Sequence, residues 1–155
     1  MPLPDASQKV QNYLDQFGLN LNVREFPDST RTAQEAADAV GCELGQIVKS
    51  LVFRSGENPL LFLVSGKNQL NVKQVSRELG IPIEKADAQF VRDATGYAIG
   101  GVPPVAHANP MHVYIDQDLM GYQEVWAAAG TPHAVFRISS SDLPRITSGR
   151  IITVI

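Results

Sequence analysis

The chain has 155 residues, of which 44% are apolar and 19% are charged, and its formal net charge at pH 7 is −3. This length and composition are typical of one globular domain with a sizeable hydrophobic core, and no apolar run is long enough to span a membrane. The acidic balance argues against a general nucleic-acid coat protein, although a local basic patch can still serve one specific RNA.

Cysteine and histidine are sparse. The single cysteine, Cys42, excludes an internal disulfide and fits a reducing compartment. It has no histidine near it in sequence, so an incidental thiol is favoured over a nucleophile. The three histidines are widely scattered, so no metal site is predicted. The N-terminal residues lack the basic and apolar regions of a secretory signal, and we expect a cytoplasmic protein.

The first predicted elements are a helix and a strand. Asp5 or Ser7 can cap a helix in which apolar residues recur at helical spacing up to Phe17, and Gly18 ends it. Residues 19–27 alternate in polarity and predict a strand.

A second helix begins at Thr32. Glu35 follows three residues later, which is the spacing of a capping box. Alanines recur along this helix up to Gly41, and such small residues indicate that another part of the chain packs closely against it.

A lysine interrupts the next strand. Residues 46–54 predict a short turn followed by this strand, which forms a hairpin with 60–65 around a turn at 57–59. Because burying an unpaired charge is costly, Lys49 has two interpretations. It either reaches solvent or an acidic partner from an edge strand, or projects into a pocket and binds a phosphate, carboxylate or carbonyl oxygen.

The second half of the chain is richer in strands. Its predicted elements are a helix capped by Asn71 and ended by Gly80, an extended piece at 81–84, a helix over 88–94 capped by Asp87, strands over 112–116, 123–127 and 134–138, a one-turn helix after Ser141, and a final strand over 150–155. Strands and helices do not alternate strictly, so the prediction is a mixed α/β (α+β) single domain.

The segment 95–105 is the most specialised stretch of backbone. Gly100 and Gly101 permit positive φ and close approach to a ligand, while Pro103 and Pro104 fix φ and remove N–H donors. The remaining N–H groups, from Gly100 to Val102, can hold a carbonyl, a carboxylate or a developing oxyanion. A purely structural turn remains the alternative.

His133 lies in a second punctuated loop, directly before a predicted strand. It is either a general base or ligand-orienting donor, or a hydrogen-bonded surface histidine. The chain has no glycine pattern typical of serine hydrolases, phosphate-binding loops or dinucleotide-binding folds.

Five motifs, in order, resemble the YbaK and prolyl-tRNA synthetase-associated editing domain family. They are Thr32–Ala37 followed by Gly41, Ile47–Phe53, Ser65–Gly80, Gly100–Pro104 and Gly130–Phe136. The resemblance implies one domain over residues 1–155, with a mixed, strongly curved sheet flanked by helices. It also implies a free-standing hydrolase, without metal or other cofactor, that removes alanine, cysteine, serine or threonine from the wrong tRNA, with proline tRNA favoured.

Mischarged tRNA is the implied partner, an aminoacyl-tRNA synthetase is a second candidate partner, and neither DNA nor a membrane is expected. One alternative is a module of the same fold that binds tRNA or a synthetase without catalysis. A second is a small-molecule hydrolase unrelated to RNA.

The resemblance also implies roles for individual residues. Lys49 would anchor the 3′ end of the substrate, and Gly100 and Gly101 would bind the aminoacyl carbonyl and help to place a water or ribose hydroxyl. The expected substrate-binding residues are Phe26, Thr32, Ser65, Val102, Pro104 and His133. Because an aminoacyl ester is already reactive, positioning can suffice without a protein nucleophile.

The sequence departs from the family pattern after the two prolines. Many relatives carry glycine where this chain has Ala106, which is followed by His107. We therefore expect the loop to leave at a different angle. The shape of the far wall of the pocket, and with it the identity of the substrate, is not predicted.

Overall fold

One mixed β-sheet organises the computed structural model, which describes residues 2–155. The strands are β1 (Val23–Glu25), β2 (Ile47–Ser55), β3 (Asn58–Ser65), β4 (Glu84–Lys85), β5 (His112–Asp116), β6 (Glu124–Ala128), β7 (Ala134–Ser139) and β8 (Arg150–Ile152). The helices are α1 (Asp5–Asp15), α2 (Ala33–Val40), α3 (Val72–Leu79), α4 (Ala88–Thr95) and α5 (Leu143–Thr147). Short 3₁₀ helices cover Leu44–Gln46, Gln117–Gly121 and Ser140–Asp142.

The strand order is β1-β7-β6-β2-β3-β5-β8, and β4 adds a short pairing to β2. The pairs β2–β6, β3–β5 and β5–β8 are parallel, and the others are antiparallel. The predicted fold class, a mixed α/β single domain, is confirmed.

Alternation along β3 divides the core between the two faces of the sheet. Leu61 and Leu63 face the largest cluster, which takes residues from α1, α4 and α5. Leu60, Phe62 and Val64 face the opposite side, where α3 covers them. Helix α2 covers a third cluster on residues of β2, β6 and β7. Both faces of the sheet are therefore buried by helices.

Local signals explain where several elements begin and end. The Thr32 hydroxyl accepts from the Glu35 N–H, and the Glu35 carboxylate accepts from the Thr32 N–H, so the predicted capping box is present. Helices α2, α3 and α4 each end at a glycine in the left-handed conformation.

Some predicted boundaries were wrong. Helix α1 follows Pro4 without a side-chain cap, so neither Asp5 nor Ser7 caps it. The first strand covers Val23–Glu25 instead of 19–27, and the last covers Arg150–Ile152 instead of 150–155. Short strands at an edge stop where pairing partners run out, which polarity alternation does not reveal.

The hairpin turn was also displaced in the prediction. It lies at Gly56–Glu57 instead of 57–59, and Gly56 has φ of +61°, which suits the first position of a two-residue turn. Among residues 2–155, no helix is long and apolar enough to cross a bilayer.

Candidate functional site

A cavity of about 360 Å³ lies where β2 and β6 separate. These strands pair only through Ile47 with Trp126 and Val48 with Ala127. Beyond that point the loop after α4 and the segment before α2 close the gap. Lining residues that bear on chemistry are Arg31, Thr32, Lys49, Gly100, Val102 and Trp126. The cavity therefore unites Lys49 with the glycine-rich loop.

Lys49 stands on β2 opposite Val64, and its side chain is partly buried. Its Nζ donates a hydrogen bond to the carbonyl oxygen of Asn68. Burial lowers the pKa of Lys49 below its ordinary value, and the nearby Asp116 carboxylate partly opposes that shift. The ammonium is thus held in a semi-enclosed site, where it makes one hydrogen bond to the part of the chain that the structure describes.

A buried carboxylate organises the surroundings of that lysine. Asp116 is 1% exposed. Its Oδ2 accepts from the Ser65 N–H at 3.0 Å and from the Asn68 side-chain amide at 2.9 Å. Its Oδ1 accepts from the Asp118 N–H at 2.9 Å, and Asp118 also accepts from the Asn68 amide, at 2.8 Å. Asp116 therefore fixes Asn68, whose carbonyl receives Lys49.

Ser65, predicted to bind substrate, lies behind the cavity instead of on its surface. It is fully buried, and its hydroxyl donates to the Gly45 carbonyl at 2.7 Å. Together with its N–H bond to Asp116, this makes Ser65 a link between the 3₁₀ helix Leu44–Gln46 and the end of β5. Its predicted contact with substrate stays a prediction.

The loop opposite Lys49 distributes its N–H groups unevenly. The Gly101 N–H donates to the Ala98 carbonyl at 3.0 Å, and the Gly101 carbonyl accepts from Gly130 at 2.9 Å. Within residues 2–155, the N–H groups of Gly100 and Val102 have no acceptor. The available donors are therefore those of Gly100 and Val102, whereas the expected donor at Gly101 is already engaged.

Each residue of the pair must be glycine for a separate steric reason. Gly100 has φ of +94°, and a Cβ there would lie 2.5 Å from Cγ of Arg31. A Cβ on Gly101 would lie 2.9 Å from the backbone Cα of Thr131. Gly100 thus lets Arg31 lie across the loop, and Gly101 lets the loop pack onto the 130–133 turn.

The segment before α2 forms the mouth of the cavity. Thr30 donates its N–H and its hydroxyl to the Pro132 carbonyl at 2.7 and 3.2 Å. Thr32 is committed to the capping box, whose hydrogen bonds lower the pKa of Glu35. Arg31, between them, is exposed and lines the cavity. It adds a second cation to that of Lys49.

The chain matches the model of a known family. That model is described as an aminoacyl-tRNA editing domain, and it matches residues 27–146. The chain belongs to this family. The predicted resemblance is confirmed.

Individual relatives of this editing domain differ in length. This chain is 28% identical over 145 residues to the uncharacterized protein YwhH of Bacillus subtilis (strain 168). The aligned region covers 93% of this chain and 92% of that protein. The chain is 27% identical over 97 residues to a proline–tRNA ligase of Thermoanaerobacter sp. (strain X514), covering 61% of this chain but 17% of the ligase.

A crystal structure reported as a candidate trans-editing enzyme for prolyl tRNA synthetase has the same fold. It superposes with a TM-score of 0.93 at 49% identity, covering 99% of this chain and 98% of that one. The editing domain thus resembles a solved chain of its own length and a minor part of a much longer ligase.

Two predicted residues of the editing domain lie together in a different depression. His133 is exposed, and its Nδ1 lies 3.1 Å from the Asp28 carbonyl oxygen. Its own carbonyl accepts from the Phe26 N–H at 2.8 Å, and both side chains line an open surface hollow with Thr131. The structure does not bring them into the cavity of Lys49, and their contact with substrate stays a prediction.

Pro104 is buried and also lies outside that cavity, in the part of the loop that packs on the core. The next residues support the loop from behind. Ala106 has φ of +66°, and its carbonyl accepts from the Tyr97 hydroxyl at 2.9 Å. The Nε2 of His107 lies 2.7 Å from the Pro103 carbonyl oxygen. The left-handed conformation at Ala106 explains why glycine suits this position.

Sequence reasoning missed Arg31, Asn68 and Asp116. Arg31 was part of a polar loop, Asn68 was the last residue of the predicted loop 66–68, and Asp116 ended a predicted strand. The one available signal was Asp116, because a carboxylate at the end of a strand can cap the following turn. In residues 2–155 no group of three or more His, Cys, Asp or Glu side chains is arranged to hold a metal.

Proposed function

We propose that this editing domain is an aminoacyl-tRNA deacylase. It hydrolyses the ester that joins a small non-cognate amino acid, of the alanine, cysteine, serine or threonine class, to tRNA. The observation that carries the proposal is that one cavity is lined by Lys49 and by Gly100 and Val102, whose N–H groups have no acceptor within residues 2–155.

Lys49 serves as the anchor for the 3′ end of the tRNA. An ammonium has three N–H donors, and only one is directed to Asn68. The others are available for phosphate or ribose oxygens. Because the group is partly buried, its charge interacts with a bound phosphate more strongly than an exposed lysine would.

The loop amides serve the reaction itself. Attack of a water oxygen on the ester carbonyl carbon produces a tetrahedral oxyanion, and fixed N–H donors stabilise it. Collapse of that intermediate breaks the bond to the ribose oxygen, which takes up a proton derived from the water. The products are a free amino acid and a tRNA with both terminal hydroxyls.

The nucleophile in this proposal is a water molecule, because the cavity offers no activated protein group. The lining side chains include no histidine, cysteine or carboxylate among the described residues. Thr30 and Thr32 direct their hydroxyls to other groups. Ser50 also lines the cavity, but the described lining gives its hydroxyl no histidine or carboxylate to act as a base. A water molecule therefore attacks an ester that is already reactive, and the neighbouring ribose hydroxyl helps to position that water.

Selection among amino acids follows from size. Small side chains form part of the cavity wall, namely Ala33, Ala36, Ala127 and Ala128, with Trp126 among them. One methylene group is worth about 1–3 kcal/mol in such a pocket, so small side chains are preferred by exclusion of larger ones.

Proline tRNA is the proposed carrier, and prolyl-tRNA synthetase the candidate protein partner. The support is the similarity to a segment of a proline–tRNA ligase and to the solved candidate trans-editing enzyme. We also propose that the whole chain acts as one domain, since Val10 and Leu14 of α1, outside the matched residues 27–146, are buried in the core.

The test is a deacylation panel with proline tRNA charged with alanine, cysteine or serine, and with a threonine-charged tRNA. Wild type should release at least one amino acid, and Lys49→Ala should reduce that rate by about 100-fold or more. Lys73→Ala, which removes an exposed lysine on α3, is the matched control and should behave as wild type.

One result would contradict the proposal. Release from no charged tRNA, while a related deacylase cleaves the same preparations, would exclude a deacylase acting on these substrates. If the protein then still bound the tRNA, it would be a non-catalytic module of the same fold.

A further inference from the structure

A second cavity continues the first along β2. It has a volume of about 240 Å³, and Ser50, Leu51, Ile99 and Val102 line both cavities. The two spaces are therefore adjacent lobes of one trough, with Lys49 in the larger lobe. The proposed function uses only the larger lobe, which leaves the smaller one without a role.

The smaller lobe lies against an open stretch of sheet edge. The Ile47 carbonyl accepts from Gly66 on the β3 side, at 2.7 Å. Because backbone groups of alternate residues point to opposite sides of a strand, this register turns the backbone of Ser50 and Val52 away from β3.

On that far side, β6 pairs as far as Val48 and β4 begins at Phe53. No strand among residues 2–155 pairs with β2 between these two points. The N–H and C=O groups of Ser50 and Val52 therefore lack sheet partners where the lobe lies, and backbone groups in such a place call for water or a ligand.

Ser50 adds a side-chain group to this edge. Its hydroxyl oxygen is buried and has no hydrogen-bond partner among residues 2–155. Buried polar atoms are nearly always paired. A cavity and an open strand edge therefore coincide at Ser50, and its enclosed hydroxyl lies beside them without a partner among residues 2–155.

We propose that the smaller lobe binds the adenine base at the 3′ end of the tRNA. The walls are otherwise apolar, with Phe53, Ala86 and Val91 among them. An apolar cavity of about 150 Å³ accepts a benzene ring, so this lobe is large enough for a two-ring base. Adenine presents a ring-nitrogen acceptor beside an amino donor, which matches an N–H and a C=O on one strand edge.

The order of groups in the substrate agrees with the order of the lobes. The ribose lies between the amino acid and the base, so a base in the smaller lobe places the ester next to the larger lobe. Lys85, exposed and lining the smaller lobe, supplies positive charge for the phosphate of that nucleotide. The inference rests on the proposed function, because it assumes that tRNA is the substrate.

The probes are stable amides: 3′-alanylamino-3′-deoxyadenosine, and the same compound with purine, which lacks the amino group, or with guanine. Titration into ¹⁵N-labelled protein should shift the amide signals of Ser50 and Val52 with the adenine probe. Loss of the amino group should weaken binding about tenfold, and guanine should bind still more weakly.

Ala86→Leu places extra atoms in the smaller lobe, and should weaken binding of the adenine probe at least about tenfold. Ala88→Leu, an exposed position on α4 outside both lobes, is the matched control and should bind as wild type does. If Ala86→Leu did not fold, the comparison of bases on wild type would still decide.

Equal affinity for the adenine and purine probes would overturn the inference. So would signals of Ser50 and Val52 that respond to exchange of alanine for valine in the probe but not to the base, because the smaller lobe would then hold the amino acid. The deacylation panel tests the proposed function separately. Deacylation without discrimination between bases would reject adenine binding in the smaller lobe alone. Discrimination between bases without deacylation would reject the deacylase alone.

Discussion

The two walls of the larger cavity are built in opposite ways. Lys49 belongs to a regular strand, and a buried network of Asn68 and Asp116 holds its ammonium. Gly100 and Val102 belong to an irregular loop, and their N–H groups have no acceptor within residues 2–155. Helices and sheets use nearly all of their backbone N–H groups in their own hydrogen bonds, so free N–H donors must come from irregular backbone. The lysine charge instead needs a rigid support.

The irregular wall nevertheless has its own supports. Tyr97 and His107 bond to the Ala106 and Pro103 carbonyls, and Gly130 donates to Gly101. Burial raises the pKa of Tyr97 to about 12, so its hydroxyl remains a donor throughout the working pH range. Side chains and one neighbouring turn therefore hold this loop in place, as the backbone hydrogen bonds of a helix or sheet would.

The strongest test of the strand wall is Asp116→Asn. It removes a buried charge and places an amide donor among groups that donate to it, so we expect a loss of about 3 kcal/mol in the free energy of unfolding. With Asn68 displaced, deacylation should fall at least about tenfold. Urea titration and the deacylation assay measure the two effects.

Asp118→Asn is the comparison for that variant, because Asp118 contacts the same Asn68 amide but is only half-buried. Its effect on stability should be clearly smaller. Equal losses of unfolding free energy in the two variants would mean that the burial of Asp116 does not stabilise this wall of the cavity.

For the loop wall, the sharpest change is Gly101→Ala. The added Cβ meets the Thr131 backbone at 2.9 Å, and such overpacking costs about 1–3 kcal/mol. We expect lower stability and slower deacylation together. Gly121→Ala, where nothing lies within 4 Å of the added Cβ, should change neither, and equal effects at both glycines would reject close packing as the reason.

Acidification should weaken the loop wall through His107. Burial lowers the pKa of His107, so the unfolded chain binds a proton there at a pH where the folded protein does not. Its contribution to stability is complete above the ordinary histidine pKa of about 6.5, and it is lost as the pH falls from there through the lower pKa of the folded state.

The melting temperature of wild type should therefore fall more between pH 7.5 and 5 than that of His107→Gln. Parallel curves would show that this ring does not couple folding to protons.

The smallest expected effect is that of Ala106→Gly. Glycine relieves a left-handed conformation that costs an alanine about 1–2 kcal/mol, but it adds about 0.5–1 kcal/mol of entropy loss. We expect a net gain of less than about 1 kcal/mol, with activity unchanged. Ala108→Gly, where φ is not positive, should instead lose stability, and the difference between the two melting temperatures checks the idea.

The sequence alone predicted the fold class, most elements and the family. Lys49 stood out because a charge interrupts an apolar strand, and Gly100 because paired glycines precede paired prolines. The capping box at Thr32 and the glycine ends of three helices were equally clear. These features are local, since each depends on residues within a few positions of one another.

Tertiary structure decided which residues meet. Asp116 is distant in sequence from Asn68 and Lys49, and only strand pairing brings it beneath them. The tertiary structure also placed His133 and Pro104 outside the cavity. It engaged the N–H of Gly101 and left that of Val102 without an acceptor among residues 2–155. Spacing along the chain predicts how a segment folds, but the direction of each N–H and the neighbours of each charge depend on segments that meet only in the folded domain.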